Sequence, residues 1–393
     1  MSSLQAIDID ELKVGMYVVE FVRQEGEIAV KSSGTIPNTS TIKHLAKSGV
    51  KRLIIDPLRS QAHHNTGVKK QKLDENSSGT PKPSKMELSD ALQIHSRGVS
   101  LQKLIQDSVK KQRPLDPKYA EEFTALMVDM MESNPTALAC AARIRKKNSY
   151  LLEHALNVSI HLIQLGQHMK LSINDVQDLG LGGFLIDVGK VCLPDEILFK
   201  PGKVTQKEMD IIKGHVRLGE EYLAQQGYSK RIISIVAQHH ERLDGSGYPR
   251  KLVGDDIHQF GRMVAIADVY DAVTADRPYR AGMTHQQALK ILLSDSQSRL
   301  DSTLVQQFIK CTGIFPEGTL VELSNGHVAM VCQENRANPL RPKIKPFYSL
   351  KSKHYLSVKE IDLAKVSGIK IVRQIKDSQL KIDFHKIFHE KMV

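Results

Sequence analysis

The 393-residue chain contains no tryptophan, and aromatic residues make up only 5% of it. Single nucleic-acid strands are gripped by successive aromatic faces, so a binder of that kind is poorly provided for. The four cysteines, Cys140, Cys192, Cys311 and Cys332, are too scattered for a disulfide framework or a zinc ribbon and read as reduced thiols. No apolar run approaches the roughly 18 residues that a membrane-crossing helix requires. The first residues, Met1-Ser2-Ser3-Leu4-Gln5, lack a basic-then-apolar leader pattern, so a cytoplasmic protein with no transmembrane segment is expected.

What is present is the composition of an ordinary globular protein, with 41% hydrophobic and 25% charged residues, which excludes disorder throughout. The length exceeds the usual single-domain range and implies two or three domains. A formal net charge of +11 favours anionic partners. With so few stacking residues, a nucleic-acid polymer is not expected among them.

Residues 1–58 alternate strand and helix signals: 17–22 reads as a strand, 41–47 as a short helix ending at Gly49, and 50–55 as another strand, together a small α/β domain. Between 59 and 85 the apolar pattern gives way to His, Asn, Lys, Ser, Gly and Pro, the composition of a flexible linker. Helical periodicity then dominates, with connecting helices over 86–147 and an all-α domain over 148–315. One helix spans 150–169, with His154 on its apolar face. Another opens on the capping box Thr205-Gln206-Lys207-Glu208 and carries His215 on a stripe with Ile212, Val216, Gly219 and Leu223. A third, 231–240, ends in His239 and His240, and a fourth, 262–274, aligns Asp268 and Asp271 with Val264 and Ala267. From Pro316 the texture turns to β, with Asn325-Gly326 marking a hairpin between alternating runs. This C-terminal extension, 316–393, holds 14 Lys and Arg against 8 Asp and Glu. The expected architecture is multidomain and mainly α, flanked by a small N-terminal α/β domain and a basic β-rich appendage.

The inward stripes collect His154, Asp187, His215, His239, His240 and Asp268. Each alone has a plain structural explanation: His154 as a hydrogen-bonded core histidine, Asp268 as a salt-bridge partner. Together, imidazoles and carboxylates from separate helices suit a binuclear metal site in which one carboxylate bridges two ions. Adjacent His239 and His240 run straight into the glycine-punctuated turn Asp244-Gly245-Ser246-Gly247-Tyr248-Pro249, a combination that packing alone seldom requires.

These segments resemble the HD-GYP subgroup of the HD phosphohydrolase superfamily. The matches run in order over about residues 148–312: His154-Ala155, Asp187-Val188-Gly189-Lys190, Leu193-Pro194-Asp195-Glu196-Ile197-Leu198, Lys200-Pro201-Gly202, His215, the run from His239 to Pro249, Ala267-Asp268-Val269-Tyr270-Asp271-Ala272, and Arg277-Pro278-Tyr279-Arg280. The resemblance implies a metal-dependent phosphodiesterase that opens cyclic di-GMP to pGpG. It implies one ion on His154, Asp187 and Asp268, and a second on His215, His239 and His240 with Asp187 shared, iron or manganese being the usual metals. Asp187 and Lys190 would be catalytic. Lys190, Gly247, Tyr248, Asp271, Arg277 and Arg280 would meet the nucleotide, the cations neutralising charge on phosphate. From charge alone Arg277 and Arg280 read equally well as solvated surface residues.

Two positions depart from the family pattern. Ile186 stands where the family has the histidine of its His-Asp pair, leaving the first site three protein ligands and an expectation of weaker occupancy. Tyr150 stands where some relatives carry a glutamate that supports a third ion. The same Ile186 fits a second outcome, a domain that binds cyclic di-GMP or a protein without turning it over. Residues 8–18 resemble the small domain that often precedes HD-GYP domains, and suggest a regulatory or homodimer-forming role. The basic tail could dock on a diguanylate cyclase or another signalling protein.

Overall fold

The structure, a computed structural model, describes residues 5–14, 16–24, 34–36, 39–47, 49–56, 85–142, 150–200, 202–276, 282–335 and 337–375. The chain divides into two units, residues 1–81 and 82–393.

In the first unit, β1 (Gln5–Asp8), β2 (Tyr17–Gln24), β3 (Gly34–Thr35) and β4 (Val50–Asp56) form an antiparallel sheet in the order β1-β4-β2-β3. One helix, α1 (Thr39–Lys47), lays Leu45 and Ile42 against Ile7, Val18, Leu53 and Ile55. Strands β2 and β4 and the helix fall where alternation and the glycine at 49 place them, and β1 and β3 are additions to that reading. The expected linker lies outside the described residues except for Lys85, which opens the next helix.

The second unit begins with α2 (Lys85–Lys110), α3 (Lys118–Ser133) and α4 (Pro135–Ala141). These were expected to connect; instead they share the core of the helical domain. The apolar stripe of α3, with Phe123, Met127 and Met131, cannot stay in water, and it packs with Ile94 and Ile105 of α2 against Leu156, Ile160 and Phe184. The last three come from α5 (Tyr150–His168) and α6 (Ile173–Phe184). Helices α5 and α6 cross closely because Gly183 has no Cβ: one added there would stand 3.0 Å from the backbone of Ser159. The Ser159 hydroxyl donates to the Gly180 carbonyl at 2.6 Å across the same contact.

Beyond α6 a 3₁₀ turn, Val188–Cys192, leads to α7 (Asp195–Leu198), α8 (Gln206–Lys213), α9 (His215–Gln225) and α10 (Lys230–Gln238). The Thr205 capping box forms as read from sequence, with the Glu208 carboxylate accepting from the Thr205 amide at 2.7 Å. The expected single helix from there to Leu223 is corrected to two. Nδ1–H of His215 donates to the Ile212 carbonyl at 2.7 Å, so the imidazole occupies an acceptor that a continuous helix would use, and the axis breaks at Gly214. Three further helices follow, α11 (Gln259–Thr274), α12 (His285–Asp295) and α13 (Ser302–Thr312). They build a second apolar cluster in which Ala267, Leu289 and Phe308 meet Val158 and Leu162 of α5.

The C-terminal strands are β5 (Leu320–Leu323), β6 (His327–Gln333), β7 (Lys343–Ser349), β8 (His354–Tyr355), β9 (Ile361–Asp362) and β10 (Ile371–Gln374), ordered β10-β5-β6-β7-β8 with β9 on β7. Gly326 turns the β5–β6 hairpin at φ +81°. The sheet is anchored to the helices: Leu92 of α2 packs on its cluster of Leu320, Val328 and Phe347, and the Gln286 amide donates to Gln374 Oε1 at 3.3 Å. A buried path also runs from Tyr270 of α11, whose hydroxyl donates to His285 Nδ1 at 2.7 Å. Nε2–H of His285 then donates to the Gly313 carbonyl, 2.9 Å away, where the helices end.

The 3₁₀ turn and α9 meet backbone to backbone. A Cβ on Gly189 would lie 2.5 Å from the Gly219 amide nitrogen and closer still to the carbonyl of His215. Gly189→Ala should therefore destabilise the fold by about 1–3 kcal/mol, the usual range for overpacking, read as a lowered thermal midpoint; an unchanged midpoint would show that this contact yields.

Candidate active site

Five elements deliver the polar groups. His154 comes from α5, Asp187 from the residue after Ile186 at the end of α6, His215 from the first turn of α9, His239 and His240 from the end of α10, and Asp268 from α11. All are buried or nearly so, at 17% side-chain exposure or less. All six residues expected from sequence as ligands are thus brought into one cluster.

Asp187 is the hub. Its Oδ1 stands 3.5 Å from His215 Nε2 and 4.0 Å from His239 Nε2, while its Oδ2 stands 3.6 Å from His154 Nε2 and accepts from Lys190 Nζ at 2.7 Å. Burial works to raise its pKa, but Lys190 and the surrounding imidazoles hold the carboxyl far below the usual range. Asp268 offers Oδ1 to His154 Nε2 at 3.1 Å and Oδ2 toward His240 Nδ1 at 3.5 Å.

The imidazoles of His215 and His239 fix the character of the site. Nδ1–H of His239 donates to the Val236 carbonyl at 2.6 Å, as that of His215 does to Ile212, so in both neutral rings the proton sits on Nδ1. Their Nε2 atoms are then both acceptors, yet they face each other at 3.3 Å. Burial keeps them neutral, pulling His215 down to about 4 and lowering His239, and it holds His240 well below its ordinary value. Opposed lone pairs beside a carboxylate repel unless a cation lies between them. The donor atoms of His215, His239 and His240 lie within 4.8 Å of one another, a set that fits a divalent metal.

His154 differs. Burial works to lower its pKa, but the carboxylates of Asp268 and Asp271 overcome this and push it up to about 9. Its Nδ1–H donates to Asp271 Oδ2 at 2.7 Å, which orients Nε2 toward Asp187 and Asp268. The expectation that Asp271 meets the nucleotide is corrected here: it is 0% exposed and spends its carboxylate on positioning His154.

The turn after His240 is built from its own backbone. Glu241, buried and not singled out in the sequence, accepts from the amides of Arg250 at 2.7 Å and Leu252 at 3.0 Å. Arg242, also buried, donates to the carbonyls of Glu241 at 2.7 Å and His239 at 3.1 Å. Both lie inside the His239–Pro249 run, so the signal was the run itself, read only for its rings and glycines. Gly247 is buried, and a Cβ there would fall within 2.6 Å of backbone atoms of His240, Glu241 and Arg242, which makes it a packing requirement of the turn. Tyr248 stands at the rim with its ring 4.6 Å from that of His240, and burial raises its phenol, keeping it a donor. Lys213, a third residue that the sequence reading passed over, holds its ammonium 5.5 Å from the centre of the Tyr248 ring.

Ile186 is 1% exposed and belongs to the apolar cluster with Ala155, Val158, Leu162, Ile235 and Ala267. Arg277 and Arg280 lie outside the described residues, as does the side chain of Tyr150.

Residues 126–304 match the HD domain family, with a KOW domain associated with HD domain over 320–382 and a domain of unknown function over 4–120. All six residues of the cluster lie within the stretch that matches the HD domain family. The chain is 32% identical over 252 residues to a cyclic di-GMP phosphodiesterase of Pseudomonas aeruginosa, spanning 64% of this chain and 61% of that protein. It is 34% identical over 224 residues to the cyclic di-GMP phosphodiesterase response regulator RpfG of Xanthomonas campestris, spanning 56% of this chain and 58% of the other. With the 3′3′-cGAMP-specific phosphodiesterase 2 of Vibrio cholerae it shares 36% identity over 195 residues, 47% of this chain and 36% of that protein. The matched region thus covers about three-fifths or less of each of these relatives. No described helix is long and apolar enough to cross a membrane.

A cationic His154 between carboxylates gives the metal-free protein a defined pH response. Because its folded value of about 9 exceeds the ordinary 6.5, its stabilisation is complete below about 6.5 and is lost as pH rises through about 9. Chelator-treated protein should lose roughly 3 kcal/mol of unfolding free energy over that interval in urea titrations, and Asp271→Asn should shrink the loss. A flat profile in the unsubstituted protein would contradict this account.

Proposed function

We propose that this chain is a metal-dependent phosphodiesterase that hydrolyses cyclic di-GMP to pGpG. The observation that carries the reading is the pair of His215 and His239 Nε2 acceptors, 3.3 Å apart beside Asp187 and supported from behind by backbone carbonyls. Such a pocket is costly without a cation. One ion would rest on His215, His239, His240 and Asp187. A second, shared through Asp187, would rest on His154 and Asp268. Bound divalent ions, iron or manganese, would supply Lewis acidity and an activated water.

The protein's own groups do the rest. Lys190, 20% exposed and hydrogen-bonded to Asp187, presents positive charge where a phosphate at the metal centre gains negative charge in the transition state. Asp271 holds His154 in one tautomer, and the neutral Tyr248 phenol offers a donor at the rim. Cyclic di-GMP is the preferred substrate because the first two relatives described above are named for it. The cGAMP-specific relative makes a mixed cyclic dinucleotide the comparison to include.

Ile186 supports a second outcome, nucleotide binding with little turnover, because an apolar core side chain replaces a ligand of the His154 site. Purified, metal-loaded protein should convert cyclic di-GMP to pGpG, and Asp187→Ala should lower the rate at least about 100-fold, since it removes the shared ligand. Equal rates for wild type and Asp187→Ala would end the enzymatic reading. Ile186→His should raise bound metal per chain and turnover together. It should also lower the thermal midpoint of the metal-free form, where an imidazole would be buried without a partner. Metal content unmoved by this change would show that Ile186 does not limit occupancy.

A further inference from the structure

We propose that Lys213 is the docking cation for the second phosphate of a cyclic dinucleotide, the one that is not cleaved; this rests on the phosphodiesterase reading above. A cyclic dinucleotide carries two phosphodiesters on opposite sides of its ring. The phosphate at the metal centre meets Lys190, whose ammonium is committed to Asp187 at 2.7 Å. The other phosphate is still a full negative charge, and drawing it toward a partly dry pocket wall requires its own cation.

Lys213 is placed for this by three features. It is the last residue of α8, and the neighbouring Ile212 carbonyl accepts from His215 Nδ1, so the backbone at this point is pinned to the histidine cluster. Its ammonium lies over the Tyr248 ring, which in turn packs on His240, giving an ordered series from ligand through aromatic rim to cation. That contact restrains a long side chain that would otherwise roam. The remaining feature is availability. Its ion-pair partner Asp210 is loose, at 3.8 Å and 61% exposed, while the Lys213 side chain is 38% exposed. Such a pair contributes little and yields readily to a phosphate oxygen.

The test uses the full chain with its metals, comparing Lys213→Met, which keeps the stem over the ring, with Lys213→Arg, which keeps the charge. The probes are cyclic di-GMP for kinetics and, for calorimetric binding, pGpG and GMP. The product pGpG retains the uncleaved phosphodiester; GMP has none. Lys213→Met should raise KM for cyclic di-GMP and Kd for pGpG about 5- to 10-fold, with kcat within about two-fold, the scale of one half-exposed charge-assisted hydrogen bond. Kd for GMP should change less, and Lys213→Arg should recover most of the loss. Values for pGpG within two-fold of wild type, or equal weakening of pGpG and GMP, would overturn the assignment while leaving the phosphodiesterase reading intact. A wild type that neither cleaves cyclic di-GMP nor binds pGpG would overturn both, and one that binds without cleaving still decides the role of Lys213 through the pGpG arm.

Discussion

The arrangement around Asp187 imposes a demand on everything near it. A carboxylate and several neutral ring nitrogens are withdrawn from water and aimed at a common point, where nothing among the described residues donates a proton to the two closest nitrogens. Backbone carbonyls at Ile212 and Val236 fix that arrangement by claiming the opposite nitrogen of each ring. The helix break at Gly214 and the glycine contact between the 3₁₀ turn and α9 are local costs of holding those rings there. Without them His215 and Asp187 would sit on elements that could drift apart.

Much of this was legible in the chain. Helical spacing placed His154, His239 and Asp268 on inward faces, the Thr205 box marked a true helix start, and Asn325-Gly326 marked a true hairpin. The six expected ligands come together because burial of an apolar stripe carries along any polar residue in the same register. What stayed hidden depends on competition between groups. Periodicity cannot show that an imidazole will claim the Ile212 carbonyl and end a helix. Nor can it separate Asp268 from Asp271, one turn apart on the same face, although one points at the cluster and the other braces it from behind. Composition likewise could not show that α2 and α3 are core rather than connection, since that depends on what lies opposite their stripes.

The substitution at Ile186 takes on a definite meaning in this setting. Its side chain extends the apolar packing between α5, α10 and α11. The two halves of the site are therefore unequal. His215 and His239 keep their backbone support, while His154 is held between acids that keep its ring protonated.

The Tyr270–His285–Gly313 path carries a mechanical corollary. Tyr270 sits between Asp268 and Asp271 on a single helix, and its hydroxyl is tied, through one imidazole, to the residue where helices give way to strands. The β layer is gripped again at Leu92 and Gln286. The strands are thus joined to the helix that bears the two acids, and the C-terminal region is better regarded as part of the frame than as cargo.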